Sequence, residues 1–471
     1  MYRLLSKGGI ISPNELLHIS QWAEEHDIQS LHLGSRQDIL INISEPQIHN
    51  LEASFQSKLC IIEKNSNSNI SSSYVASDIF QSQSWLTSAN YLYILETIRH
   101  QPKIKINIVD PRQNLVPLFY GDINFIASDI EEYWYLFIRD PNWSEGSYYP
   151  SLINSKDIGA YCDIIEQLWQ KTQSEIELFT TISERMSTDN RSLEKHLQVD
   201  IELFPYYEGM HRYGIDKFWL GFYRRKNSYN VNVLQNLAKR CINDRIANIC
   251  ITPWKSFIIK GIPSSSKLQW EYMLGSFGIN VRHSQLEMNW HLPANDLEAL
   301  LAKQHIVAEL ERRDVSTYGL TLGIYQLDRA PFSTIAIIKK HNQDTIAQSY
   351  DIRHAENFDP ALRIYKTYAQ DVTIDAIPNL IEELCQSFFQ RLESAESLTP
   401  KPTLEFNNTN TVQIFQCNEC LSIYDPGVGD STADIAASTP FKQLPENYEC
   451  SCCGAPKSAF LETQLELVSN T

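Results

Sequence analysis

A nine-position apolar pattern occurs twice in this chain, the second copy standing at a constant offset from the first. Leu16, Ile19, Ala23, Ile28, Leu31, Leu33, Ile39, Leu40 and Ile41 align without gaps on Leu234, Leu237, Cys241, Ile246, Ile249, Ile251, Phe257, Ile258 and Ile259. Nothing else in the chain constrains the fold as much, because a gapless echo of this length is the signature of one supersecondary unit used twice. In each copy the first apolar residues recur at i, i+3 and i+7, the buried face of an amphipathic helix. Pro13 stands where a first helical turn accepts proline. The later positions fall in two short apolar runs around a tight turn, which predicts a pair of antiparallel strands. Each copy therefore reads as a helix on a small sheet, and two such units related by a pseudo-twofold are expected to pack together.

Near the C-terminus a second pattern carries chemistry. Cys417 with Cys420, and Cys450 with Cys453, form two well-separated C-x-x-C pairs. Four soft thiolates in tetrahedral array select iron or zinc over hard cations. Each pair presents two sulfurs on one tight turn, so two facing turns complete a site. Zinc would occupy the same geometry without redox chemistry. Cys452, inside the second pair, reads as a bystander. The six cysteines outside the quartet are scattered, as reduced thiols are, and do not form a disulfide framework.

The remaining organisation follows from shifts in pattern. After the first repeat come Ile104, Ile106 and Ile108 at strand spacing, then GDINFIAS and YWYLFIRD; after the second come GLTLGIYQL and STIAIIKKH. Ile164, Ile165, Leu168, Ile176 and Phe179 lie at helical spacing in an otherwise polar stretch and predict one or two bridging helices. Residues 393–411, ESAESLTPKPTLEFNNTNT, lack an apolar period and read as a flexible linker reaching roughly 20–25 Å. The expected layout is a first half with its lobe (1–150), bridging helices (151–204), a second half with its lobe (205–392), the linker (393–411), a small metal domain (412–462) and a tail (463–471).

The net charge of −17 argues against nucleic acid or an anionic membrane as partner. No run approaches a membrane span, and MYRLLSKGGIIS has too short an apolar stretch for a secretory signal, so a cytoplasmic protein is expected. Within 411–462 seven acidic residues oppose two lysines, a charge that would steer the small domain towards a basic face. No Ser-His-Asp arrangement or H-E-x-x-H motif is evident, and Gly8-Gly9 is too little for a nucleotide fingerprint. His26, His32, His283 and His291 are scattered and read as packed or surface residues.

Residues 413–460 resemble a rubredoxin beyond the cysteines themselves. Tyr424-Asp425-Pro426-Gly427, Thr439-Pro440-Phe441, Leu444-Pro445 and Cys453-Gly454-Ala455-Pro456-Lys457 all stand where that family has them. The resemblance implies one iron cycling between ferrous and ferric states, held by Cys417, Cys420, Cys450 and Cys453 and wrapped by Tyr424, Phe441, Tyr448 and Phe460. Two departures stand out: Leu421 replaces a glycine of the first turn, and Tyr448 replaces a tryptophan.

The repeat resembles the ferredoxin-like half-domains of sirohaem-dependent nitrite and sulfite reductases. LHLGSRQDILI is similar to that family's strand–turn–strand with its Ser/Thr-Arg-Gln turn, and ICITPWKSFIIKGI to the Thr-Pro-Trp turn of the partner half. QPKIKINIVDPRQNLVPLFYGDINFIA resembles the segment that presents two lysines to the cofactor, and IEQLWQKTQSEIELFTTISERM the linking helix. The fold implied is α+β: two pseudo-symmetric ferredoxin-like half-domains with associated α/β lobes, plus a small C-terminal rubredoxin-like domain with a four-cysteine metal site. The resemblance implies a sirohaem pocket, in vestigial form, using Arg36, Lys103, Lys105 and Lys255, with Lys103 and Lys105 on one face of a strand. It also implies a 4Fe–4S cluster, but Asn289 and Asn295 occupy the places of one cysteine pair. No cysteine follows Gly323 in TLGIYQLDRAP, and none lies between Cys250 and Cys385. Amides do not hold such a cluster, so no 4Fe–4S centre is expected.

The sequence thus points to an electron carrier or oxidoreductase subunit rather than a complete reductase, delivering electrons to a nitrite or sulfite reductase in nitrogen or sulfur assimilation. Two other readings stay open: a sirohaem-binding subunit with the rubredoxin iron as donor, and a non-redox interaction protein holding zinc.

Overall fold

The computed structural model describes residues 1–471 apart from 45–46, 48–54, 56–58, 62–67, 144–145, 173, 187–189, 194, 196, 198–202, 215, 280–286, 288, 295, 328, 341–347, 399–410, 420–421, 425, 427–429, 431–432, 434, 437–438, 451–452 and 467–471. The chain divides into two compact units, Met1–Gln390 and Arg391–Thr471.

The repeat is reproduced down to backbone detail. Helices Pro13–Glu25 and Val231–Asn243 begin and end at the same offset as the apolar pattern. Ser12 caps the first through a reciprocal box with Glu15, and Asn230 caps the second through the Asn232 amide. Both stop in the same left-handed turn, with φ of 60° at Asp27 and 57° at Arg245. There the Ile28 amide donates to the Ala23 carbonyl at 2.8 Å and Ile246 to Cys241 at 2.9 Å, the wrap that satisfies orphan helix carbonyls. The tight turns match as well: Gln37 (φ 60°) and Lys255 (φ 61°) are pseudo-equivalent.

The two core sheets are pseudo-symmetric and exchange their edges. The first runs Tyr229–Asn230, Ser30–Leu33, Ile39–Ile41, Tyr2–Leu4, Leu59–Ile61; the second runs Ile10–Ile11, Ile249–Ile251, Ser256–Pro263, Lys217–Tyr223, Gly209–Arg212. All neighbours are antiparallel. Each half thus lends the short strand before its helix to the other half's sheet. The two helices pack face to face, and Leu16, Ala23, Leu234, Leu237 and Cys241 share one core with both sheets. Gln37 ties the halves: its amide donates to the carbonyls of Ser72 (3.1 Å) and Ile251 (2.8 Å) and accepts from the Ser72 amide (2.8 Å).

Each half carries a lobe with the same strand logic. In the first, Ser71–Ser72, Ile106–Val109 and Ile123–Ala127 are parallel, and Tyr133–Ile138 and Ser151–Asn154 follow antiparallel. In the second, Trp290–His291, Leu322–Gln326 and Ile335–Lys340 are parallel, then Ser349–Ala355 and Tyr365–Val372 antiparallel.

Two helices, Ile158–Leu168 and Glu175–Arg185, occupy the segment between the halves, and Ile158, Tyr161, Ile165, Leu178 and Ile182 are buried in one core with Ile94 and Trp134. Two expectations need correction. The supposed linker begins as helix, because Ile377–Leu398 runs past 392 through Glu-Ser-Ala-Glu-Ser-Leu, good enough helix formers to continue the turn. The lysine pair is not on a strand, since that strand starts at Ile106 and Lys103 and Lys105 lie in the bend before it.

In the C-terminal unit, strand Thr411–Cys417 pairs antiparallel with Ile423–Tyr424 and with Phe460–Glu466. Phe415, Tyr424, Phe441, Tyr448 and Phe460 form its core, with Phe415 stacked on Phe441 at 4.1 Å. Tyr448, in the tryptophan's place, buries its ring there, and its hydroxyl donates to Asp430 at 2.9 Å.

Candidate metal centre

The thiols are placed by two backbone turns. Cys417 ends the central strand, and its amide donates to the Ser422 carbonyl at 2.8 Å. In the second turn the Cys450 amide donates to Ala455 at 2.7 Å, and Gly454 donates back to the Cys450 carbonyl at 2.8 Å. Gly454 has φ of 73°, a conformation glycine adopts without strain. The turn therefore folds Cys453 back over Cys450.

The sulfurs of Cys417, Cys450 and Cys453 lie within 4.8 Å of one another, and Cys417 and Cys453 are 3.7 Å apart. Thiolates bound tetrahedrally at about 2.3 Å would be about 3.8 Å apart, so the spacing suits a metal. Cys417 and Cys450 are buried and Cys453 is exposed. Cys420 lies outside the described residues, as do Leu421 and Cys452. Among the described residues this is the one cluster of three or more potential metal-ligating side chains. Cys162, Cys241, Cys250 and Cys385 are buried separately, and burial pushes their thiols up, Cys385 to about 12. They are neutral packing residues.

One residue escaped the sequence reading. The Ser422 hydroxyl lies 3.0 Å from the Cys450 sulfur, placed to donate a hydrogen bond to a ligand thiolate. A serine two residues after a C-x-x-C pair carries no signal of its own, because only the pairing of the two turns brings it to the other pair's sulfur.

The basic residues expected to line a macrocycle pocket do not all meet at one place: Lys105 lies within electrostatic reach of Arg36, whereas Lys255 lines a different cavity. Arg36 is buried and committed to the protein: its guanidinium donates to Asn107 Oδ1 (2.6 Å) and to the Asn69 and Ile106 carbonyls (both 2.8 Å), and packs over Tyr120. Lys103 and Lys105 are exposed. The Lys105 pKa is lowered, first by desolvation and further by Arg36, Arg329 and Arg363, against the opposing pull of Asp122. Lys255 is buried elsewhere, donating to the Leu292 carbonyl and lining a cavity of about 320 Å³. Where Tyr120, Trp254 and Phe332 meet, the Tyr120 and Phe332 rings are 4.4 Å apart and the cavity left is about 60 Å³. Of the four residues, Lys255 alone lines the 320 Å³ cavity, and none of them lines the 60 Å³ one.

Three cysteine sulfurs converge in the small three-stranded unit, and the larger unit is a two-lobed, pseudo-symmetric α+β scaffold. Comparison with known proteins agrees. A match to the Rubredoxin family covers residues 414–460. The probable rubredoxin HupI of Bradyrhizobium diazoefficiens is 50% identical over 46 residues, 10% of this chain and 67% of that protein. The rubredoxin of Trichormus variabilis is 50% identical over 46 residues, 10% of this chain and 41% of its own length. The anaerobic nitric oxide reductase flavorubredoxin of Escherichia coli is 30% identical over 95 residues, 18% of this chain and 20% of that one. Through this segment the chain belongs to the rubredoxin family. The scaffold's likeness is one of fold: the Mycobacterium tuberculosis NirA protein superposes with a TM-score of 0.65 at 15% identity, covering 83% of this chain and 81% of that chain. Among the described residues no helix is long and apolar enough to cross a membrane.

Proposed function

We propose that the chain is a cytoplasmic one-electron carrier in which Cys417, Cys420, Cys450 and Cys453 hold a single iron and the large unit docks the electron acceptor, a nitrite or sulfite reductase of nitrogen or sulfur assimilation. The observation that carries this reading is the trio of sulfurs within 4.8 Å in a module of the rubredoxin family. When bound, the iron supplies a ferrous/ferric couple. The protein's own contribution is to fix the ligands, exclude water and bring one edge to the surface. Buried Cys417 and Cys450 anchor the centre, whereas exposed Cys453 leaves a sulfur at the boundary, where outer-sphere transfer needs no general acid or nucleophile.

Other features support a carrier over a complete reductase. In the large unit, Asn289 spends its amide on Thr317 Oγ1 (3.1 Å) and the Leu320 carbonyl (2.7 Å), as a buried packing group does. Asn295 lies outside the described residues. Strand Leu322–Gln326, where the resemblance would place the second cysteine pair, is packed instead with Tyr325 against His291 at 5.0 Å. The acidic surplus of residues 411–462 would favour a basic docking face on the acceptor. The test is electron delivery from the reduced full chain to a purified sirohaem reductase by stopped flow, with Cys417→Ser as control. Transfer by the wild type that disappears in the variant is expected; equal transfer by both would remove the proposal.

A further inference from the structure

The 320 Å³ cavity that Lys255 lines has a composition unlike a merely unfilled gap. Two ammonium groups face it, Lys255 from the second repeat's turn and Lys303 from helix Leu297–Arg312, only 9% and 4% exposed. Residues 224–226, Arg-Arg-Lys, also line it. Two carboxylates line the same cavity, and both have other work. Asp296 is held by Lys339 at 2.9 Å, and Glu287 is shared between Arg225 (2.7 Å) and Lys303 (3.6 Å). Among the described residues Lys255 forms no ion pair; its ammonium donates to the Leu292 carbonyl. The cavity is therefore left net positive. Part of its wall is aromatic: Lys303 lies 5.8 Å from the Tyr223 ring and 6.0 Å from that of Trp290.

Keeping two lysines in this environment is costly. Desolvation draws both down to about 8; Lys303 lowers Lys255 further against the pull of Asp38, and for Lys303 the pull of Glu287 opposes the shift while Arg225 adds to it. Replacement of Lys255, which has no ion pair among the described residues, by an apolar residue would relieve that cost. A bound anion would relieve it too, by giving Lys255 a counter-charge and adding to the one that Glu287 supplies to Lys303.

We propose that this cavity binds a small organic oxyanion with a planar body, its doubly charged head held by Lys255 and Lys303 and its body lying against Tyr223 and Trp290. The volume lies at the small end of ligand sites, so the ligand is a single-ring compound and not a macrocycle. The site is independent of the iron centre and does not rest on the carrier reading.

The test is isothermal titration of the full chain with phenyl phosphate, with inorganic phosphate as the head alone. Saturable one-to-one binding of phenyl phosphate, at least tenfold tighter than phosphate and weakening from pH 7 to pH 9 as the lysines lose their protons, is expected. Lys255→Met and Lys303→Met should each weaken it at least tenfold, and Lys255→Met should leave the thermal midpoint unchanged or raised. Absence of saturable binding at millimolar phenyl phosphate, or affinity retained in both variants, overturns the site. Equal affinity for the two probes overturns the assignment of an organic ligand. If Lys303→Met does not fold, Lys255→Met decides.

Discussion

Ser422→Ala isolates one contact at the metal centre and changes nothing in the ligand set. The hydroxyl reaches the Cys450 sulfur at 3.0 Å, in a partly buried turn. A hydrogen bond to a charged acceptor is worth roughly 1.5–3 kcal/mol when broken. The reduction potential registers only the part that differs between oxidation states. One-electron reduction adds a negative charge shared by the sulfurs, so the bond strengthens in the reduced form. If a third to a half of its energy is differential, the loss is about 0.5–1.5 kcal/mol, or roughly 20–60 mV at 59 mV per tenfold for one electron. The substitution should therefore lower the potential by about that amount, with iron content unchanged and Ser422→Thr restoring most of it. Spectroelectrochemical titration of the full-length iron-loaded protein reads this directly. A shift below about 10 mV, or one towards higher potential, would show that the hydroxyl does not donate to the ligand thiolate.

Further predictions concern the supports of the fold and site. Gly454→Ala meets open space but must hold φ near 73°, so it should cost about 1–2 kcal/mol of small-domain stability, seen as earlier iron loss in a urea titration. Gln37→Leu leaves the Ile251 carbonyl and the Ser72 amide and carbonyl without their buried partner; a loss of about 2–5 kcal/mol by urea unfolding of the large unit is expected, and a loss under about 0.5 kcal/mol would mean that the halves are not joined there. Lys255 and Lys303, lowered from 10.5 to about 8, are protonated in the unfolded chain over a range where the folded chain has released those protons. This pair's contribution to stability should then rise between pH 8 and 10.5, by up to about 3 kcal/mol per lysine. Urea midpoints measured across that window should show the rise flattened in Lys255→Met, and an unchanged slope in the variant would contradict the assignment.

The repeat made the centre of the fold legible because its signal is periodic. A helix face and two apolar runs recurring at one constant offset leave little freedom, and even the left-handed residues Asp27/Arg245 and Gln37/Lys255 keep that spacing. The reciprocal strand exchange was not legible, since Ile10–Ile11 and Tyr229–Asn230 are each two residues long and a pattern of period two needs more. The helical start of residues 393–411 was not legible, because serine and glutamate look alike in a coil and on a solvated helix. Lys103 and Lys105 alternate like a strand, but a bend precedes Ile106, and sequence spacing does not report where pairing begins. Lys303 did leave a trace: it falls on the stripe of Ala299, Ala302, Ile306 and Leu310, where a lysine on an otherwise buried helix face calls for a partner. Ser422 left none, because its role arises between turns that are remote in sequence.

The central claim, a redox iron held by the C-terminal cysteines, is tested most directly by metal analysis joined to reversible reduction of the full chain isolated from native cells. One iron per chain is predicted, with ferric–thiolate absorption that bleaches on taking up one electron, returns on oxidation and disappears in Cys417→Ser. Stoichiometric zinc with no reducible absorption would contradict it.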